Sequence, residues 1–129
     1  MLRNAKIVRG FYDAIANGDV AGLLTGLDSN IEWIEAEGFP YAGTYSGHDA
    51  VLTGVIGRLA GEWNGFQATP SEFIDRGDQV VALGRYGGTY KATGKAMDAA
   101  FAHVWTLRGD KAVRFRQYVD SALVQKALI

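Results

Sequence analysis

Apolar residues recur at helical spacing near the start of the chain. Val8, Phe11, Tyr12 and Ile15 share one face over residues 4–16, which predicts an amphipathic helix. Asn17-Gly18 ends it, because glycine takes the left-handed capping conformation at little cost. Asp19 then caps a second, shorter helix whose Val20, Leu23, Leu24 and Leu27 again fall on one side. Asp28-Ser29-Asn30 reads as a turn. From there the pattern alternates. Ile31, Trp33 and Glu35 lie on one face of a strand over residues 31–36, and Glu32, Ile34 and Ala36 on the other. Residues 37–47 are irregular, with Phe39, Tyr41 and Tyr45 set among Gly38, Pro40, Gly43 and Gly47, a composition that suits a lid. A third helix is expected over 49–60, striped by Val51, Leu52, Val55, Ile56 and Leu59 and stopped by Gly61. β-branched and aromatic residues between glycine turns predict strands over 65–75, 79–90, 96–107 and 112–119. Ser121 is then expected to cap a short helix carrying Leu123, Ala127 and Leu128.

Helices first and a long antiparallel meander afterwards make an α+β pattern. A strongly curved sheet with helices across its hollow face leaves a closed, mostly apolar pocket. Arg76-Gly77-Asp78 followed by Val80, Val81 and Tyr86 is echoed by Arg108-Gly109-Asp110 followed by Ala112, Val113 and Tyr118. The echo reads as two similar hairpins in one sheet, because two short matches cannot build a repeat array. Gly-Asp between strands is turn chemistry, so the tripeptide is not read as an adhesion motif. Arg85 and Tyr86 are expected on the sheet surface or in dimer contacts.

Composition narrows the function classes. The chain has 129 residues, the size of one domain, and 48% of them are hydrophobic, enough for a core. Thirteen basic residues against 14 acidic ones give no basic excess of the kind nucleic acid demands. With no Cys there are no disulfides, thiolate metal sites or cysteine nucleophiles, which fits a reducing compartment. No apolar run reaches the roughly 20 residues of a membrane helix, and the first residues do not form a signal-peptide core. A single cytoplasmic domain is the expectation. Gly84, Gly87 and Gly88 lack the strand-to-helix setting of a dinucleotide fingerprint. His48 and His103 are far apart and have no nearby carboxylate motif, so no metal site and no cofactor are expected.

Four segments resemble a known family. They are Phe11-Tyr12-Asp13-Ala14-Ile15-Ala16-Asn17-Gly18-Asp19, Pro40-Tyr41-Ala42-Gly43-Thr44-Tyr45-Ser46-Gly47, and the pair Phe101-Ala102-His103-Val104-Trp105 and Phe115-Arg116-Gln117-Tyr118-Val119-Asp120. Together they resemble the nuclear transport factor 2-like superfamily, in its SnoaL-like polyketide-cyclase and steroid-isomerase-like branch. The resemblance implies a cone-shaped, curved, mainly antiparallel sheet whose concave face is covered by the N-terminal helices. It also implies a homodimer through the sheet. Its steroid isomerases use an acidic base on the first strand, which falls on Glu35. Their oxyanion donors are a helix-one tyrosine and a later acid, which fall on Phe11 (with Tyr12 one residue off) and His103. Both donors differ here, which speaks against the steroid-isomerase reaction itself. Its polyketide cyclases use a His and an Asp, for which His103 and Asp120 are the candidates. Its epoxide hydrolases need an Asp-Arg-Asp cluster that this sequence does not assemble.

Glu35, His103 and Asp120 are therefore the candidate catalytic residues. Glu35 shares a face with Trp33 and Ile31, and a carboxyl in an apolar pocket has a raised pKa. Histidine titrates near neutral pH and serves as acid or base. Asp120 competes with its plainer reading as a helix cap, and strand parity favours Gln117 over Asp120 as the inward polar group. Phe11, Tyr12, Trp33, Phe101, Trp105, Gln117 and Tyr118 are the candidate contacts to a small hydrophobic ligand. The expected function is a cofactor-independent isomerase, cyclase or dehydratase acting beside a carbonyl. The alternative is a ligand-binding or dimerisation module without chemistry.

Overall fold

The computed structural model describes residues 2–129. Helix α1 spans Arg3–Ala16 and buries Ala5, Val8, Phe11 and Tyr12, close to the face its spacing predicts. Its first turn has no side-chain cap of its own. Asp75 takes that part from afar, accepting the Ala5 N–H at 2.8 Å and satisfying one of the orphan donors of a helix start. Gly18 has φ 69°, the left-handed geometry expected after α1. Asp19 caps α2, Val20–Gly26, by accepting from the Gly22 N–H. Gly26 must lack a side chain, since a Cβ there would lie 2.3 Å from the Phe11 ring.

Strand β1 is Leu27–Glu35, so Leu27 begins a strand instead of ending a helix. Asp28-Ser29-Asn30 does not separate two elements. It lies inside β1, where the pairing with its neighbour slips between Leu27 and Glu32 and Asn30 N–H turns back to Asp28 Oδ2 at 2.8 Å. A turn-like hydrogen bond survives there inside a bulge. Residues 37–47 also hold more order than expected. Gly43–Ser46 forms β2, an edge strand antiparallel to β1 with Trp33 opposite Tyr45.

Helix α3 starts at His48, opens into a π turn over Leu52–Ile56 and resumes as α-helix through Gly57–Glu62. Gly61 does not stop it, because its φ is not positive. The chain turns extended at Trp63. Then follow β3 (Trp63–Asp75), β4 (Gln79–Tyr90), β5 (Ala96–Arg108) and β6 (Lys111–Val119). The last helix, α4, is Ser121–Leu128, and its cap is Asp120, not Ser121.

The six strands form one curved sheet in the order β2-β1-β6-β5-β4-β3, antiparallel throughout except for β1 beside β6. Helix α1 packs on α2 and β3, α3 on β1, β2 and β3, and α4 on β5. Burial alternates along the central strands, so the inner face carries Trp33 and Glu35 from β1 and Ala82 and Tyr86 from β4. From β5 it carries His103 and Trp105, and from β6 Phe115 and Gln117. Tyr86 is thus buried on the inner face, against the expectation of a sheet-surface or dimer-contact position. No helix is long and apolar enough to cross a membrane among the described residues.

Candidate functional site

A cavity of about 290 Å³ lies between the inner face of the sheet and helices α1 to α3. The sheet contributes Trp33, Glu35, Tyr86, His103, Trp105, Phe115 and Gln117. The helices contribute Tyr12, Ile15, Leu23, Val55, Ile56 and Leu59, and Phe39 closes one wall. Phe39 stands in a segment that is tied down. Tyr41 donates its hydroxyl to Glu62, Tyr45 donates to the Tyr41 carbonyl, and Gln125 donates to the Gly38 carbonyl.

Glu35 is 5% exposed. Its carboxyl accepts one hydrogen bond, from Trp33 Nε1 at 3.1 Å. Two residues apart on one strand face, the two side chains point the same way. Burial is the larger influence and pushes the Glu35 pKa up to about 8, against a smaller downward pull from the Trp33 N–H. A single neutral donor is poor compensation for the water that a carboxylate loses.

His103 is 3% exposed and sits in the middle of a hydrogen-bonded chain. Its Nδ1 lies 2.6 Å from the Tyr12 hydroxyl and its Nε2 lies 2.5 Å from the Tyr86 hydroxyl. Trp105 Nε1 donates to the Tyr12 oxygen at 3.0 Å. Gln117 Nε2 donates to the Tyr86 oxygen at 2.8 Å. Gln117 Oε1 in turn accepts from the Ala36 N–H at 2.9 Å, which fixes the amide's orientation. Burial holds His103 well below the ordinary histidine range, so the ring is neutral at pH 7. Burial raises both phenols, and at Tyr86 the charge of Glu35 adds to the rise while the Gln117 hydrogen bond opposes it.

The fold therefore brings Glu35, His103, Tyr12, Trp33, Trp105 and Gln117 to one cavity. It does not bring four other sequence candidates there. Asp120 is exposed, and its carboxylate accepts the Leu123 N–H as the cap of α4. Tyr118 is 51% exposed on the outer face. Phe11 and Phe101 are buried behind the lining, Phe11 against Trp105 at 4.9 Å and Phe101 stacked on His103 at 4.0 Å between ring centroids. Tyr86 is the residue that sequence reasoning missed. The available signal was its parity, for it is in step with Val80 and Ala82 along β4.

In chemical terms the cavity offers the buried Glu35 carboxyl, its pKa raised by desolvation, and two phenolic hydroxyls held by a neutral imidazole. The side chains that line it include neither Lys nor Arg.

A search of curated proteins found no match. Among solved structures, an NTF2-like protein from Burkholderia thailandensis E264 is 39% identical over 100% of this chain and 99% of its own, with a TM-score of 0.95. An NTF2-like protein from Burkholderia xenovorans LB400 is 31% identical, covering 96% of this chain and 94% of its own, with a TM-score of 0.82. TerC, crystallised with polyporic acid, is 27% identical over 97% of each chain, with a TM-score of 0.87. The SnoaL-like domain matches residues 8–115. Helices closing the hollow face of a curved sheet are the architecture these relatives share, and the chain belongs to the SnoaL-like domain family of NTF2-like fold.

Proposed function

We propose that the protein is a cofactor-independent acid–base enzyme acting on a small, apolar, carbonyl-containing molecule. The observation that carries this reading is Glu35, a carboxyl buried in the cavity with one neutral hydrogen-bond partner. Such a group is a base with a pKa close to working pH. Its carboxylate takes a proton from the carbon next to the carbonyl, and the C–H electron pair moves onto the carbonyl oxygen. A hydroxyl of Tyr12 or Tyr86 donates to that developing enolate oxygen. Glu35 then returns the proton, to another carbon in an isomerisation or to a departing oxygen in a dehydration. In a cyclisation the enolate carbon attacks a second carbonyl instead.

His103 has a different part from the one expected of it. Both ring nitrogens are engaged by tyrosines, so it orients the hydroxyls and does not itself meet the ligand. Asp120 has no part. The complex of TerC with polyporic acid supports occupation of this cavity by a small organic molecule.

The test is exchange of α-deuterium from small apolar ketones into water, followed by NMR. Wild type is expected to exceed the buffer rate, with kcat/KM rising as pH passes through about 8. Glu35→Gln should lower the rate at least about 100-fold. Equal rates in the two proteins would sink the mechanism.

A non-catalytic ligand-binding module is the second reading, favoured by the saturation of both His103 nitrogens. It predicts ligand binding with no exchange. In either case we propose a homodimer through the outer sheet face, where Val81, Leu83 and Val104 are only half-buried and Tyr118 is exposed. Light scattering should give twice the chain mass, and Tyr118→Asp should reduce it to one.

A further inference from the structure

The chain Trp105, Tyr12, His103, Tyr86, Gln117 has a fixed hydrogen count. Its two ends, Trp105 Nε1–H and Gln117 Nε2–H, are donors aimed inward at the two phenol oxygens. Neither end can accept: an indole nitrogen has no free lone pair, and the Gln117 amide is held by Ala36 through its oxygen. The two inner links join the hydroxyls to the imidazole. Each link consumes one hydrogen. Three hydrogens are available, one on each hydroxyl and one on the neutral ring. One is therefore left over, and it is always a hydroxyl hydrogen. If Nδ1 carries the ring hydrogen, it donates to Tyr12, Tyr86 donates to Nε2, and the Tyr12 hydrogen is free. If Nε2 carries it, the Tyr86 hydrogen is free. Neither hydroxyl has a further hydrogen-bond acceptor among the described residues.

We propose that Tyr12, His103 and Tyr86 form a donor switch, in which the surplus hydroxyl hydrogen is offered to an acceptor oxygen of the cavity ligand by Tyr12 in one histidine tautomer and by Tyr86 in the other. The ligand class follows from the lining. Tyr12 and Tyr86 both face the cavity, and no Lys or Arg does, so the partner is an uncharged carbonyl-type oxygen and not a carboxylate or phosphate. His103 is a positioning residue that sets which end donates. The inference rests on the cavity being a ligand site, but not on Glu35 chemistry or on turnover.

The experiment is nitrogen-15 NMR of labelled His103 at pH 7, using long-range correlations that tell the tautomers apart. In wild type the ring should be neutral. Tyr12→Phe leaves Nδ1 without an acceptor, so the hydrogen should move to Nε2, because a buried N–H without an acceptor is disfavoured. Tyr86→Phe should drive it to Nδ1. Each single variant keeps one surplus hydroxyl, and the double variant has none. Carbonyl-labelled acetophenone reads this directly. Its bound C=O stretch should be lowered in wild type and in both single variants, and lowered less in the double variant, where the Glu35 carboxyl and the freed Trp105 and Gln117 N–H groups are the remaining donors.

A wild-type ring with both nitrogens protonated overturns the proposal, and that measurement needs no variant to fold. So does the same tautomer in both single variants, loss of the lowered stretch in either one, or failure of acetophenone to bind wild type. Failure of the acid–base reading looks different: ketone exchange is absent while the two opposite tautomers remain.

Discussion

The two faces of the sheet treat the same kinds of side chain in opposite ways. On β1, Glu32 points outward and meets Arg114 of β6 at 2.6 Å, with both side chains about half exposed. Three residues later Glu35 points inward and meets only an indole N–H. On the outer face Arg85 pairs with Asp98 at 2.7 Å. On the inner face Tyr86, its neighbour, bonds to a neutral imidazole. Outside, charge is met by charge in water, where little depends on the pairing. Inside, no countercharge is supplied, so each polar group is held neutral or close to its titration point. One residue of strand parity decides which of these chemistries a side chain has.

The largest effect should come from the packing beneath the inner face. Trp105 is 1% exposed and lies against Phe11, Tyr12, Trp33 and Phe115. Trp105→Ala should cost about 3–5 kcal/mol in urea unfolding, the usual loss for a large buried aromatic. Val104→Ala, one residue away on the outer face, should cost about 1 kcal/mol or less. Similar costs at the two positions would break the comparison.

Parity also explains what the sequence told and what it hid. Ile31, Trp33 and Glu35 alternate without interruption, so their shared face was readable, and so was Gln117 in step with Phe115. Tyr86 and Tyr118 occupy matching places in the two echoed hairpins, yet Tyr86 is buried and Tyr118 is exposed. The cause is a bulge. Thr106 pairs with Arg114 but Leu107 pairs with Ala112, which leaves Val113 as an extra residue and reverses the phase of β6 beyond it. β4 meets β5 with no such slip between Gln79 and Thr89, so Tyr86 keeps the phase of Val80. Nothing local in the sequence marks that bulge. Asp120 failed for a related reason. It lies past the end of β6, where a helix start takes up its carboxylate. Phe11 and Phe101 are buried, but alternation does not say which buried ring touches a cavity and which lies behind the one that does.

The second prediction concerns titration. The unfolded chain ionises Glu35 near 4.5, whereas the folded protein holds its proton to about 8. Across that range the folded state carries more protons at this site, so its stability falls as pH rises. His103 works the other way. Its folded pKa lies well below 6.5, so below 6.5 the unfolded state carries more protons at this site and stability rises with pH. The two slopes oppose one another below pH 6.5, and only Glu35 acts between 6.5 and 8. Stability should fall by about 2 kcal/mol across that window, at about 1.4 kcal/mol per pH unit for one proton. Glu35→Gln should abolish the fall. A slope unchanged by the substitution would mean that Glu35 is not held neutral by burial, and the contrast with Glu32 would lose its basis.

The smallest effect should be on the outer face. A double-mutant cycle with Glu32→Gln and Arg114→Gln isolates their coupling. For side chains this exposed it should be about 0.2–1 kcal/mol, and it should shrink as salt is raised from 0.05 to roughly 1 M because the screening length contracts to about 3 Å. The pair joins β1 to β6, the one parallel contact of the sheet among the described residues. A larger coupling that resisted salt would show that this junction depends on the ion pair and that the outer face shields charge as the inner face does. A small, salt-sensitive coupling would leave burial as the cause of the difference between two glutamates three residues apart. It would also explain why the carboxyl with the raised pKa lies on the inner side of the strand.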